Sequence, residues 1–311
     1  MKGLISGIID IFCHVLPPRY KEALYRKARP CFYIEANSSR PALWDMDSRF
    51  RAMDEHQGLL QILTLASPPT EYVVGPEDAV QLSRMANDEM AELVAKYPDR
   101  FVGAVASLPM SDTDAALMET DRAIKELGFK GIQISSSVNG RPLDSPVFLE
   151  LYRKMEEYDL PIWVHPVRDV NVPDYPGEEK SMYGLFFMFG WPYETTLAVA
   201  RLAFSGTLEK CPNLKLITHH CGAMIPFFAG RSHMSLERLP HLYGDTAIGG
   251  HVPALMCGYA FFGSENMLFA TDFPYGDTKQ AIQAINSMDI RQSDKQKIFH
   301  ENATRLLRLS V

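Results

Sequence analysis

Four side chains carry most of the chemistry open to this sequence of 311 residues. His14, His165, His220 and Asp272 each stand towards the end of a short apolar run: "GIIDIFCH" (7–14), "LPIWVHPV" (160–167), "LKLITHHCG" (214–222) and "NMLFATDFP" (266–274). Neutral imidazole and carboxylate are the donors suited to Zn2+ and similar divalent ions, and they are also common agents of proton transfer. Taken singly, each has a plainer explanation. A lone His is ordinarily a hydrogen-bonded core residue, His165 before Pro166 can close a buried strand, and Asp272 before "FPYG" can cap or turn the chain. Asp245 has the same plain reading and is left there. Four such residues, each ending a different run, favour one shared site over four coincidences.

Those runs must be strands that finish on a common face. Further runs lie at 59–67, 101–109, 129–136 and 242–248, making eight in all, with amphipathic segments such as "AVQLSRMANDEMAELVAKYP" and "DAALMETDRAIKELG" between them. Alternating strand and helix patterns without a long polar linker predict a (β/α)8 barrel, read as one domain over 1–311. A doubly wound sheet is the alternative, but no G-x-G-x-x-G marks any strand–helix turn. The second amphipathic segment is expected to end on Gly128. The seventh unit is short, with little room for a helix in 232–242. Segments 15–57 and 166–192 are long and carry Pro, Gly and aromatics, as loops shaping an active face do.

Within a strand, alternate side chains share a face, so Asp10, Phe12 and His14 fall together. A His-x-His pair there would give two imidazoles to one ion, yet Phe12 holds the first position. In the sixth run, if Thr218 faces the barrel interior then so does His220. His219 would then point to the surrounding helices as packing, and His220 is the candidate.

Composition narrows the field. With 46% hydrophobic and 22% charged residues the chain is ordinary globular material, and a net charge of −7 without a basic stripe argues against a nucleic-acid surface. The longest apolar stretches are too short to span a membrane. Five cysteines without a C-x-x-C pair read as free thiols in a reducing compartment, so a cytoplasmic protein is expected. No G-x-S-x-G elbow or phosphate loop is present, which disfavours covalent Ser or Cys catalysis.

Longer stretches carry a resemblance. "WDMDSRFRAMDEHQG", "YPDRFVGAVASLPM", "ELGFKGIQI", "WVHPV", "LFATDFPYG" and above all the whole unit "GWPYETTLAVARLAFSGTLEKCPNLKLITHHCGAMIPFFAGR" resemble the amidohydrolase superfamily. The branch is that of α-amino-β-carboxymuconate-ε-semialdehyde decarboxylase and γ-resorcylate decarboxylase. The resemblance implies a barrel in which His14, His165 and Asp272 bind one divalent metal, Zn2+ being expected. It makes His220 the histidine acting on the substrate, with Asp272 also catalytic, and it needs no organic cofactor. It points to Arg40 and Arg51 as contacts for a substrate carboxylate, to Trp191 as a pocket wall, and to a homodimer acting on a small carboxylic acid. Non-oxidative decarboxylation of an aromatic or unsaturated acid is the activity it favours. The same residues would serve metal-assisted hydrolysis of a lactone or amide. A barrel that binds an aromatic acid without turnover is the third reading, since Phe12 replaces the family's first-strand ligand.

Overall fold

A computed structural model of the chain describes residues 7–235 and 239–310; positions 236–238, inside the short seventh connection, lie outside the described residues. The apolar runs form parallel strands β1 (Ile8–Val15), β2 (Leu59–Leu65), β3 (Phe101–Ala104, resuming as Ala106–Ser107), β4 (Ile132–Ser135), β5 (Ile162–His165), β6 (Leu216–Thr218), β7 (Leu242–Asp245) and β8 (Met267–Leu268). Every residue of β1 is buried, as expected of a strand covered on both faces.

The ladders form a three-stranded sheet, β1 to β3, and a six-stranded one running from the second half of β3 to β8. Only Val105 separates the two halves of β3, and its N–H donates to Leu63 O at 2.9 Å, so one strand passes between the sheets. Counting β3 once therefore leaves eight strands around the ring. At the other seam, Ile11 N donates to Phe269 O (3.1 Å) and His14 N to Phe273 O (2.7 Å), with a bridge pairing Cys13 and Phe273. This is the expected (β/α)8 barrel.

Helices between the strands bury one face on the barrel and are capped by their own sequence. Asp112 accepts from Ala115 N (3.0 Å) at the head of helix Thr113–Lys125, and Asp277 from Gln280 N (3.0 Å) ahead of Thr278–Ser287. The first of these stops at Lys125 with Glu126 as its cap, two residues before the expected Gly128, which instead turns the chain at φ +70°. A second, central core of Ile9, Ile11, Phe12, Ile62, Val105, Trp163, Ile217 and Leu268 fills the barrel. Trp163 is fully buried there and donates from Nε1 to Ile11 O at 3.2 Å. That packed plug is the floor beneath the strand ends.

Buried Asp10 fastens β1 to the chain leaving β8. It accepts from Thr271 N (3.1 Å), from the Thr271 hydroxyl and from Phe12 N (3.2 Å). Burial outweighs these bonds and raises its pKa from 3.8 to about 6. Between those values the folded chain keeps a proton that the unfolded chain has released, so this carboxyl's contribution to stability is lost as pH rises. Relative to Asp10→Asn, the wild type is expected to lose about 2–3 kcal/mol between pH 4 and pH 7, read from urea unfolding at each pH.

Candidate active site

His14 lies in the last turn of β1, and a buried cation below it fixes that strand end. Arg49, fully buried, donates from Nη1 to His14 O at 2.7 Å and from Nε to Gln61 Oε1 at 2.8 Å. The His14 ring meets Thr64 Oγ1 at Nδ1 (3.3 Å) and Asp272 Oδ1 at Nε2 (3.2 Å). His165 ends β5, and its Nδ1–H donates to Pro166 O at 2.7 Å, leaving Nε2 with the lone pair. Burial first, and then the neighbouring histidines, lower the His165 pKa well below its usual value, so the ring is neutral.

Asp272 sits past β8 in a left-handed conformation (φ +61°), uncommon for a non-glycine residue. The chain folds straight back over it, with Tyr275 N and Gly276 N both donating to Asp272 O (2.7 and 3.0 Å). Gly276 is required by this turn, because a Cβ there would lie 2.0 Å from Thr271 O.

His14, His165 and Asp272 open into one cleft of about 280 Å³. Its walls come from the two long loops. The first supplies Phe32, Tyr33, Asn37 and Arg40, and the second Phe187 and Trp191. Arg40 lies 4.8 Å above the Tyr275 ring and is the only cationic side chain lining the cleft among the described residues. A larger hollow of about 490 Å³ lies at the opposite ends of β6 and β7, beside Leu216 and Leu242. Among the described residues it gathers no comparable set of titratable groups, so the smaller cleft is the candidate site.

Three sequence expectations change here. His219 and not His220 is the inward ring: it is fully buried, stacks on Phe12 with centroids 3.5 Å apart, and lies 5.5 Å from His165. The alternation of β6 stops at Thr218, since His220 and Cys221 are left-handed (φ +56° and +57°). His220 is half-buried, and neither it nor His219, which lies beneath Phe12, lines the cleft. Asp245 is more than a cap or turn residue. It is fully buried, accepts from His219 Nδ1–H at 2.6 Å, and is held by Ala247 N (3.0 Å) and Cys221 N (3.3 Å). Burial raises its pKa to about 6 and lowers that of His219 well below the ordinary value. Arg51 is exposed and outside the cleft.

Phe12 lies against all three inward imidazoles, 4.4 Å from His14 and 5.7 Å from His165 by ring centroids. Among the described residues, no three His, Cys, Asp or Glu side chains are already drawn around a common point closely enough to hold an ion. His14 is turned onto Asp272 instead. The donor chemistry nevertheless fits a divalent ion. Two imidazoles bound to one ion stand about 5 Å apart between ring centres, and His14 and His165 are 5.4 Å apart. The buried Nε2 of His219 has no hydrogen-bond partner among the described residues.

A parallel barrel with histidines and an aspartate at its strand ends defines a class of barrel enzyme built for metal-ion and proton-transfer chemistry. The chain belongs to the Amidohydro_2 family, described as amidohydrolase, whose model matches residues 9–309. It is 34% identical over 211 residues to the 2-amino-3-carboxymuconate-6-semialdehyde decarboxylase of Dictyostelium discoideum. That match takes in 68% of this chain and 56% of that protein. It is 30% identical over 290 residues to the gamma-resorcylate decarboxylase of Rhizobium sp., covering 85% of this chain and 87% of the relative. The dihydroxybenzoic acid decarboxylase of Polaromonas sp. JS666, solved with manganese and the inhibitor 2-nitroresorcinol, superposes with a TM-score of 0.81. The two are 26% identical, over 97% of each chain.

Proposed function

We propose that this protein is a single-domain, metal-dependent decarboxylase, over 1–311, that removes CO2 from a one-ring aromatic or unsaturated carboxylic acid without oxidation. The observation that carries the proposal is the cleft itself: aromatic walls, one guanidinium, and His14, His165 and Asp272 together at its base. Kinship with decarboxylases supports the reaction over hydrolysis. His14 and His165 would hold the ion beside Asp272, with Zn2+ the first candidate and Mn2+, found with a relative, the second. A divalent ion there supplies positive charge against the substrate carboxylate and the anion developing in its ring.

The protein's own groups do the rest. Arg40 takes a substrate oxyanion, a task its planar fork suits. Trp191, Phe187 and Tyr275 flank the ring and exclude water. Asp272, with its side chain 26% exposed and held by His14, carries the proton to the carbon bearing the carboxylate. That carbon becomes tetrahedral, the C–CO2 bond breaks, its electron pair restores conjugation, and CO2 leaves. Asp272 then regains a proton from solvent.

The exposed aromatic face around Phe189 and Tyr193 supports a homodimer, and the free thiols support a reducing, cytoplasmic setting. No described helix is long and apolar enough to cross a membrane.

Incubation with gamma-resorcylate and with 2-amino-3-carboxymuconate-6-semialdehyde, with Zn2+ or Mn2+ added, is expected to release CO2 from at least one. Opening of a lactone or amide panel with no CO2 from either acid would replace this reading with the hydrolytic one. Arg40→Met is expected to raise KM about 10–100-fold with a much smaller change in kcat, as loss of a charge-assisted contact made in both ground and transition states requires.

A further inference from the structure

We infer that Arg168, held by Glu194, is the positioning residue for the aromatic wall of the cleft, fixing Tyr33 and Trp191 from behind so that the wall is formed before a substrate ring arrives. The inference rests on the proposed reading of the cleft as a site for a one-ring acid, and it assigns Arg168 no part in the chemical step.

Tyr33 and Trp191 both line the cleft, but they come from the two different long loops. Their rings stack with centroids 6.0 Å apart and planes 22° apart, and the Trp191 ring meets His165 at 5.7 Å and 68°. Arg168, three residues past His165, joins the two. Its carbonyl accepts from the Tyr33 hydroxyl at 2.9 Å. Its guanidinium donates from Nη1 to Glu194 Oε1 at 2.8 Å. Glu194 stands three residues after Trp191 on the helix Gly190–Phe204, and residues at that spacing are neighbours on one side of a helix. The stem of Arg168 also lies close against the start of that helix, since a Cβ at Gly190 would fall 2.5 Å from its Cδ. Arg168 thus holds Tyr33 by its carbonyl, and the turn carrying Trp191 by its guanidinium and stem.

The alternative is an ion pair that serves stability alone. Two features argue against it. Both side chains are 19% exposed, so their attraction is screened less than that between fully solvated charges. Neither residue lines the cleft; both line a separate outer hollow of about 410 Å³ that shares no lining residue with it. Arg168 is therefore no second carboxylate contact beside Arg40, and its contacts lead to the wall instead. A loose aromatic side chain must be ordered when a ligand docks against it, which weakens binding, and a wall ordered beforehand avoids that loss. Further along the same helix, Arg201 pairs with Asp144 through two bonds (2.8 and 3.0 Å), yet it lies outside the cleft and supplies the comparison.

The test joins a substrate-free spectrum to kinetics on the full-length protein. The chain has three tryptophans, Trp44, Trp163 and Trp191, so labelling with 5-fluorotryptophan gives three fluorine resonances. That of Trp191 is assigned by its loss in Trp191→Phe. In Glu194→Gln and Arg168→Met the Trp191 resonance is expected to shift and broaden, while that of Trp163 in the barrel plug stays in place. Arg201→Met is expected to leave the spectrum unchanged. With gamma-resorcylate, Glu194→Gln and Arg168→Met are expected to raise KM about 3–10-fold, the worth of one aromatic contact, with kcat within about threefold. An ion pair that only stabilises would lower the melting temperature and move neither the Trp191 resonance nor KM. A Trp191 resonance of wild-type position and width in the folded variants would overturn the inference, and so would an unchanged KM in variants that release CO2. Thermal melts verify folding, and Glu194→Gln keeps the test open where Arg168→Met fails to fold. If wild type releases CO2 from neither acid, the decarboxylase reading fails by itself, and the fluorine spectra alone decide whether Arg168 sets the wall.

Discussion

Asp272→Asn is expected to lower kcat for CO2 release by about 10³-fold or more while KM moves by less than threefold. The size follows from the role: positioned proton transfer contributes about 10²–10⁴-fold, and an amide cannot supply that proton. KM is spared because Arg40, Phe187 and Trp191 belong to other segments of the chain, and Tyr275 is held through the Asp272 backbone rather than its side chain. The backbone argument points the same way. Asp272 sits at φ +61°, a conformation that asparagine tolerates at least as well as aspartate, so the substitution leaves the turn intact. Its carbonyl keeps the bonds from Tyr275 N and Gly276 N, which do not involve the side chain. Steady-state kinetics with a CO2-coupled readout, beside a thermal melt, checks the prediction. A variant with kcat within tenfold of wild type would remove Asp272 from the proton-transfer step.

Much of this was legible before any coordinates. Buried parallel strands read as continuous apolar runs, and side chains at the ends of barrel strands gather on one face, so the meeting of His14, His165 and Asp272 in one cleft could be read from position alone. The failures share one cause, which is that side-chain direction depends on backbone details a residue pattern does not carry. His219 and His220 are adjacent, and period-two alternation chooses the second only if the strand continues through both. The left-handed backbone at His220 and Cys221 ends it. Asp245 looked like a turn residue because it closes a strand, but its partner is 26 positions away. Arg49 and Arg51 stand on one helix, Met46–Asp54, and the long-range contact that distinguishes them is absent from local sequence. One signal was available. Met46, Arg49 and Met53 follow helical spacing, which puts Arg49 on the apolar stripe and Arg51 off it.

Arg49→Ala is expected to destabilise the protein by about 3–5 kcal/mol, the largest loss from any single substitution considered. Arg49 is fully buried, and burial lowers its pKa to about 10, so it is still charged at neutral pH. No carboxylate pairs with it among the described residues. Its charge is instead spread over His14 O, Ala42 O (3.3 Å) and Gln61 Oε1, and over the faces of Phe273 and Phe101 at 5.0 and 5.5 Å. Removing it leaves buried acceptors unpaired, at about 1–3 kcal/mol for each buried group left unsatisfied, and opens a cavity beneath β1. Arg49→Met retains most of the stem's volume and separates the two contributions, losing the hydrogen bonds but little of the packing. Arg51→Ala, on the exposed side of the same helix, is expected to stay within about 0.5 kcal/mol of wild type. Urea unfolding midpoints with unchanged slopes check all three. The consequence reaches the site because Arg49 binds the His14 carbonyl directly: a stable Arg49→Met protein is expected to lose activity as β1 loosens at its last turn, whereas Arg51→Ala keeps it.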